Sequence, residues 1–155
     1  MKGCQRVSKV LLDSTAYIDL VKALKHRRDA WASNTITNSL NYRNEQGSPF
    51  LSVVTVVEIL HGLHKDIANP GKAPRFKKTA PAYFQFLEVT ADIGYLASKI
   101  IAKLEIGRQS IGFPDTLIAA TAIHHGLTLV TANTRHFPRV IAAGFPLTLA
   151  NWRDA

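Results

Sequence analysis

One cysteine, Cys4, is all the thiol chemistry in this chain of 155 residues. It excludes an internal disulfide and leaves a reducing compartment, the cytoplasm, as the expected location. No apolar run approaches the ~20 residues needed to span a bilayer, so no membrane role is expected. No arginine-flanked apolar signal segment opens the chain. Internal repeats, low-complexity tracts and linkers are also missing, so residues 1–155 are read as a single domain. Acids are scarce: 11 Asp and Glu stand against 19 Lys and Arg, a net charge of +8. That surplus suggests a polyanionic partner, either nucleic acid or an acidic protein. The plain alternative is a basic surface kept for solubility. What is present in ordinary measure is apolar content, 46%, enough for a globular core.

Short apolar runs alternate with helical patterns along the chain. Met1–Lys9 is polar and basic and is expected to fray. Val10-Leu11-Leu12 reads as a buried strand ending at Asp13, followed by a helix carrying Tyr17, Ile18, Val21 and Leu24. The basic cluster Lys25–Arg28 near its end suits the helix dipole. Trp31, Ile36 and Leu40 mark another amphipathic helix, which should end in the polar run Asn41–Ser48. Phe50–Val54 reads as a second strand. Thr55 and Glu58 then have the spacing of a capping box. Prolines and lysines make Asn69–Thr79 an irregular, solvated segment with about one helical turn. Phe84–Val89 is a third strand, and Thr90 opens a helix with Ile93, Leu96, Ala97, Ile100, Ile101 and Leu104 on one face. Pro114 places Asp115 at the start of a helix that Gly126 stops. Leu127–Thr131 is a strand covered on both faces, Asn133 follows within two residues, and a last strand lies near Leu147–Leu149. This alternation predicts a parallel sheet with helices on both faces.

Asp13, Glu58 and Asp115 each fall where a strand passes into a helix. Singly, each is a helix cap. Together, on a parallel sheet, they converge in the crevice at the carboxyl ends of the strands. Two carboxylates ~4 Å apart repel by about 4 kcal/mol at an effective dielectric near 20. Such a cluster protonates or holds a cation, and helix N-termini favour the ionised forms. Hard oxygen ligands suit Mg²⁺ or Mn²⁺. Asn133 adds a neutral amide to the rim.

The segments LLDSTAYIDL, SVVTVVEILHGL and IGFPDTLIAATAIHHGLTLVTANTRHF, in this order, resemble the PIN-domain ribonucleases. The closest resemblance is to the toxin subunits of VapBC-type toxin–antitoxin modules. The resemblance spans nearly the whole chain, and its last segment is the most specific. It implies a three-layer α/β/α sandwich with a central, mostly parallel sheet and a divalent-metal endoribonuclease. Asp13, Glu58 and Asp115 match the acidic metal-site positions, and Asn133 matches a fourth position that is aspartate in many PIN domains. Asn133 therefore removes one negative charge from the family's site.

The implied chemistry is hydrolysis of an RNA phosphodiester, aided by a metal that polarises the phosphate and acidifies a water. Asp13 and Asp115 would bind the metal, Glu58 would bind it or orient the water, and Asn133 would position a water. Thr15 or Thr131 could donate a hydrogen bond into the site, a structural hydroxyl being the commoner role for each. Arg135 and Lys72 could hold the RNA backbone, the commoner fate of such residues being a solvated charge. Further implied partners are a homodimer mate and a small acidic antitoxin. The antitoxin's acids would cover the basic surface, and one of its arginines would enter the crevice. The faces near Ile18, Val21 and Leu63 are either its groove or core.

Three rivals are weaker. A purely binding module does not need three convergent acids. A phosphatase with Asp13 as nucleophile wants an acid where Thr15 stands. A transition-metal site on Glu58, His61 and His64 lacks a second Glu-x-x-His or an H-E-x-x-H. His124 and His125 read as helix C-terminal residues.

Overall fold

Five three-residue strands make one sheet in the computed structural model, which describes residues 8–155. They are β1 (Val10–Leu12), β2 (Phe50–Ser52), β3 (Gln85–Leu87), β4 (Thr128–Val130) and β5 (Thr148–Ala150). The order is β3-β2-β1-β4-β5 and every neighbouring pair is parallel. Seven helices connect them: α1 (Ser14–Ala23), α2 (Ala30–Gln46), α3 (Val53–Lys65), α4 (Lys72–Tyr83), α5 (Ala91–Ile106), α6 (Phe113–His125) and α7 (Phe137–Ala142). Among the described residues no helix is long and apolar enough to cross a membrane.

Strand alternation divides the core in two. Val10, Leu12 and Val130 point to one face, where Ala16 of α1, Tyr42 of α2, and Phe76 and Ala80 of α4 cover them. Leu11 and Leu129 point to the other, under Ile93 and Ile100 of α5, Ile118 of α6, and Phe137 and Val140 of α7. Helix α3 gives Ile59 to the first core and Val54 to the second. The expected α/β/α sandwich is therefore present. From β1 the neighbours β2 and β4 lie on opposite sides, so the carboxyl end of β1 is a topological switch point, where open α/β sheets form crevices.

Several local expectations need correction. Residues 1–7 of the segment expected to fray, with Cys4, lie outside the described residues. Ser8 and Lys9 are tied to β4 instead: Ser8 Oγ lies 2.6 Å from Thr128 Oγ1, and Thr128 N–H donates to Lys9 O. The cap of α3 is Ser52, whose hydroxyl accepts from Val54 N–H at 3.2 Å. Thr55 is buried inside the helix and Glu58 sits in its second turn, so the capping box does not form. An early cap ends the valine-rich strand after three residues, two short of the expected length.

Most of the expected irregular segment is helical: α4 begins at Lys72 within it and runs past its end to Tyr83. Pro74 occupies its first turn, where no N–H is needed, and Ala73, Phe76 and Ala80 make a buried stripe that outweighs Pro81 near its end. Helix α2 runs through the polar stretch to Gln46. It faces the core with Ala32, Thr35, Ser39 and Tyr42, while Leu40 is exposed. Small side chains on that face let α2 pack close to α1.

Candidate active site

Asp13 ends β1 and caps α1. Its backbone is extended (φ −85°, ψ 179°), and its Oδ1 accepts from Ala16 N–H at 2.9 Å. Thr15 Oγ1 donates to the same oxygen at 2.7 Å, and Thr131 Oγ1, just past β4, donates to Oδ2. Both hydroxyls are themselves fixed. Thr15 Oγ1 accepts from Ala132 N–H at 2.9 Å, and Thr131 Oγ1 accepts from Asn133 N–H at 2.8 Å. The carboxylate is thus held by two threonines that the β4–α7 loop in turn orients. Both play the donor role that the sequence allowed to either.

Asp115 is the third residue of α6. Gly112 precedes the helix at φ +92°, a conformation L side chains rarely adopt, and Pro114 sits in the first turn. Asp115 Oδ2 lies 2.7 Å from His136 Nδ1 and 3.5 Å from Asn133 Nδ2. Asn133 Oδ1 accepts from the backbone N–H groups of Arg135 and His136, at 3.2 Å each. Asn133 therefore folds the loop with its oxygen and turns its amide toward Asp115. His136 is a partner that sequence reasoning missed. Its signal was faint: three residues after Asn133, it reaches Asp115 only because the asparagine bends the loop.

Glu58 reaches the crevice from α3. One carboxylate oxygen, Oε1, is buried without a hydrogen-bond partner, as is Thr55 Oγ1. Burial pushes the Glu58 carboxyl above its ordinary value, the negative charges of Asp115 and Asp13 add to this, and the Ser14 hydroxyl opposes it. Burial likewise raises Asp13. The donors Thr131, Ala16 and Thr15 oppose that rise, and Asp115 reinforces it. At Asp13 and Glu58, burial and mutual repulsion outweigh the helix N-termini expected to favour ionisation.

The charge of Asp115 thus reaches Asp13, and those of Asp13 and Asp115 reach Glu58. Among the described residues no three His, Cys, Asp or Glu side chains close tightly enough to enclose a metal ion. Glu58, His61 and His64 accordingly form no such centre. The donor set nevertheless suits a hard divalent cation: all oxygen, mutually repelling, with one buried carboxylate oxygen lacking a partner. Lys72 is engaged elsewhere, 2.7 Å from Asp66, while Arg135 is exposed beside the Asn133 turn. His124 and His125 end α6 as expected.

The family model "PIN domain" matches residues 10–142. Ribonuclease VapC of Rickettsia bellii (strain RML369-C) is 32% identical over 93 residues, covering 59% of this chain and 69% of that protein. The crystal structure of VapBC2 from Rickettsia felis, bound to a DNA fragment from its promoter, aligns with TM-score 0.68 at 23% identity. The match covers 92% of this chain and 98% of that one. A toxin–antitoxin complex from Klebsiella pneumoniae aligns with TM-score 0.63 at 22% identity, covering 93% and 98%. The structural likenesses speak for the fold, and the family model and the curated relative for descent: this chain belongs to the PIN-domain family and, within it, to the VapC ribonucleases.

Proposed function

We propose that the chain is a divalent-metal-dependent endoribonuclease and the toxin of a type II toxin–antitoxin pair. The observation that carries the catalytic part is the joining of Asp13 and Asp115 through Thr131 and Asn133, with the unpartnered Oε1 of Glu58 on α3, at a switch point of the sheet. Asp13, Asp115 and Glu58 would hold Mg²⁺, or Mn²⁺ in its place. The cation supplies charge to polarise the scissile phosphate and to acidify the attacking water. The protein's own residues do the positioning. Thr15 and Thr131 fix both oxygens of Asp13, His136 and Asn133 aim Asp115, and Glu58 keeps one oxygen free to orient the water.

The partner reading has its own support. Ile18 and Val21 are 44% and 53% exposed, so they are not core. With Tyr17, Gly62 and Leu63 they line a cleft of about 500 Å³ between α1 and α3 that also contains Glu58. An apolar antitoxin segment fits there, and an arginine on it can reach the acids. That the fold neighbours were solved as toxin–antitoxin complexes supports an antitoxin as the partner. A homodimer is the expected assembly, with Tyr95, Ile106 and Phe113 exposed for a mate.

The test is cleavage of RNA by the purified chain. Activity should require Mg²⁺ or Mn²⁺, stop with EDTA, and stop when the neighbouring small acidic protein is added. Cleavage that persists in EDTA would remove the metal reading. A freely active monomer, harmless to its host and indifferent to that protein, would remove the toxin reading.

A further inference from the structure

A second cleft, of about 560 Å³, opens on the other flank of α1. Its inner end is Thr15, the residue that donates to Asp13, so it leads directly out of the catalytic crevice. From there it follows one face of α1 through Asp19 and Lys22 to His26, with Trp31 and Arg153 opposite. We propose that this cleft binds the nucleotide adjoining the scissile phosphate in single-stranded RNA, with its base on the Arg153–Trp31 stack and its phosphate on Lys22. The proposal rests on the ribonuclease reading above and adds where its substrate lies.

Arg153 carries the case. Its Nε and Nη2 each donate to the Asp19 carboxylate at 2.6 Å, and its guanidinium lies 5.2 Å from the centre of the Trp31 ring. The group is thus immobilised in two directions, yet its side chain remains 46% exposed to the cleft. Asp19 is buried, at 8% side-chain exposure, and Arg153 donates to both of its oxygens. Anchoring the C-terminal segment does not require that. Asn34 Nδ2 donates to Arg153 O, and Asn38 Nδ2 donates to Trp152 O and Asp154 O. A partly buried ion pair adds little stability, whereas it does fix geometry. Fixed guanidinium planes and aromatic rings are the surfaces on which unpaired bases stack.

Charge supports the same occupant. Lys22 makes no ion pair among the described residues. At the outer end, the run Lys25–Arg28 continues the positive path, and His26 meets Asp29 at 3.6 Å and the Trp31 ring at 5.9 Å between centroids. A polyanion approaching three carboxylates needs cations beside them, and this flank provides them.

The experiment compares steady-state cleavage of a short single-stranded RNA by wild type, Trp31→Ala, Arg153→Lys and Lys22→Ala. Binding of the same RNA in EDTA is followed by fluorescence anisotropy. Trp31→Ala and Arg153→Lys should each raise KM on the order of tenfold with kcat little changed, since stacking is lost while the acids stay in place. Lys22→Ala changes an exposed side chain that makes no ion pair among the described residues, so its fold should be kept. It should weaken binding and lower the salt slope by about one. Unchanged KM and unchanged binding in all three variants would overturn the proposal. So would losses that appear only in kcat and follow a falling Tm. RNA binding that is weakened by these substitutions, in a wild type that cleaves nothing, would uphold the cleft and overturn the nuclease reading instead.

Discussion

Asp13 and Glu58 are acids of one crevice held in opposite ways. Asp13 closes β1, is almost fully buried, and accepts from two threonine hydroxyls and a backbone amide. Glu58 rides on the second turn of α3, half-buried, with one oxygen lacking any donor. Backbone and side chains together over-determine the first, so it serves as the fixed reference of the site. The second is left unsatisfied, at a cost to stability, and is the group with capacity to spare for a ligand.

That contrast can be broken by substitution. Asp13→Asn should cause the largest effect, a loss of RNA cleavage of roughly a thousandfold or more, because a charged, positioned ligand goes. Asparagine caps helices well, so its melting temperature should stay near wild type. A large fall in Tm with cleavage retained would make Asp13 a cap only. Glu58→Gln should lower cleavage on the order of a hundredfold. Without metal its stability should be unchanged or higher, because a repelling charge has left. A clear destabilisation would show that the carboxylate is satisfied in a way the geometry does not indicate.

Thr131→Val should cost ~1–3 kcal/mol, since it strands the Asn133 N–H and removes a donor from Asp13. Thr131→Ser should restore both stability and activity, and urea melts with rate measurements separate the two. The smallest effect concerns pH. Asp13 and Glu58 are raised above their ordinary values of 3.8 and 4.5. Between those values and the raised ones, the folded protein binds more protons than the unfolded chain. Their contribution to stability is therefore greatest at low pH and falls as pH climbs through the raised values. In metal-free buffer, Glu58→Gln should flatten that fall, and Mg²⁺ should flatten it in the wild type by mass action. Identical slopes in all three conditions would remove Glu58 from the coupled set.

Much of this was legible in the residues. The run around Leu11 announced a buried strand and that around Leu129 a strand buried on both faces, while Pro114 marked the first turn of α6 and Gly126 its end. Asp13 could be placed because a cap and a strand end coincide there. Elsewhere tertiary burial overruled local composition. Asn69–Thr79 looks like a loop until Ala73, Phe76 and Ala80 of α4 find a core to enter. Helix α2 hides its small polar side and exposes Leu40, since a close contact with α1 needs small residues more than apolar ones. His136 was hidden for a different reason: its approach to Asp115 depends on a turn made by Asn133, not on any pattern of its own.

The bond from Thr131 to Asp13 joins positions 118 residues apart. On a translating ribosome, Asp13 emerges early and stays without this donor until β4 follows it out. Parallel pairing of β1 with β4 imposes the same order, because it cannot form before most of the chain exists. A nascent chain stopped short of β4 accordingly lacks both the central strand pairing and the loop that holds Asp13, however much of its amino-terminal half has folded. The arrangement around Asp13 therefore depends on β4 having left the ribosome, and no shorter nascent chain can hold it.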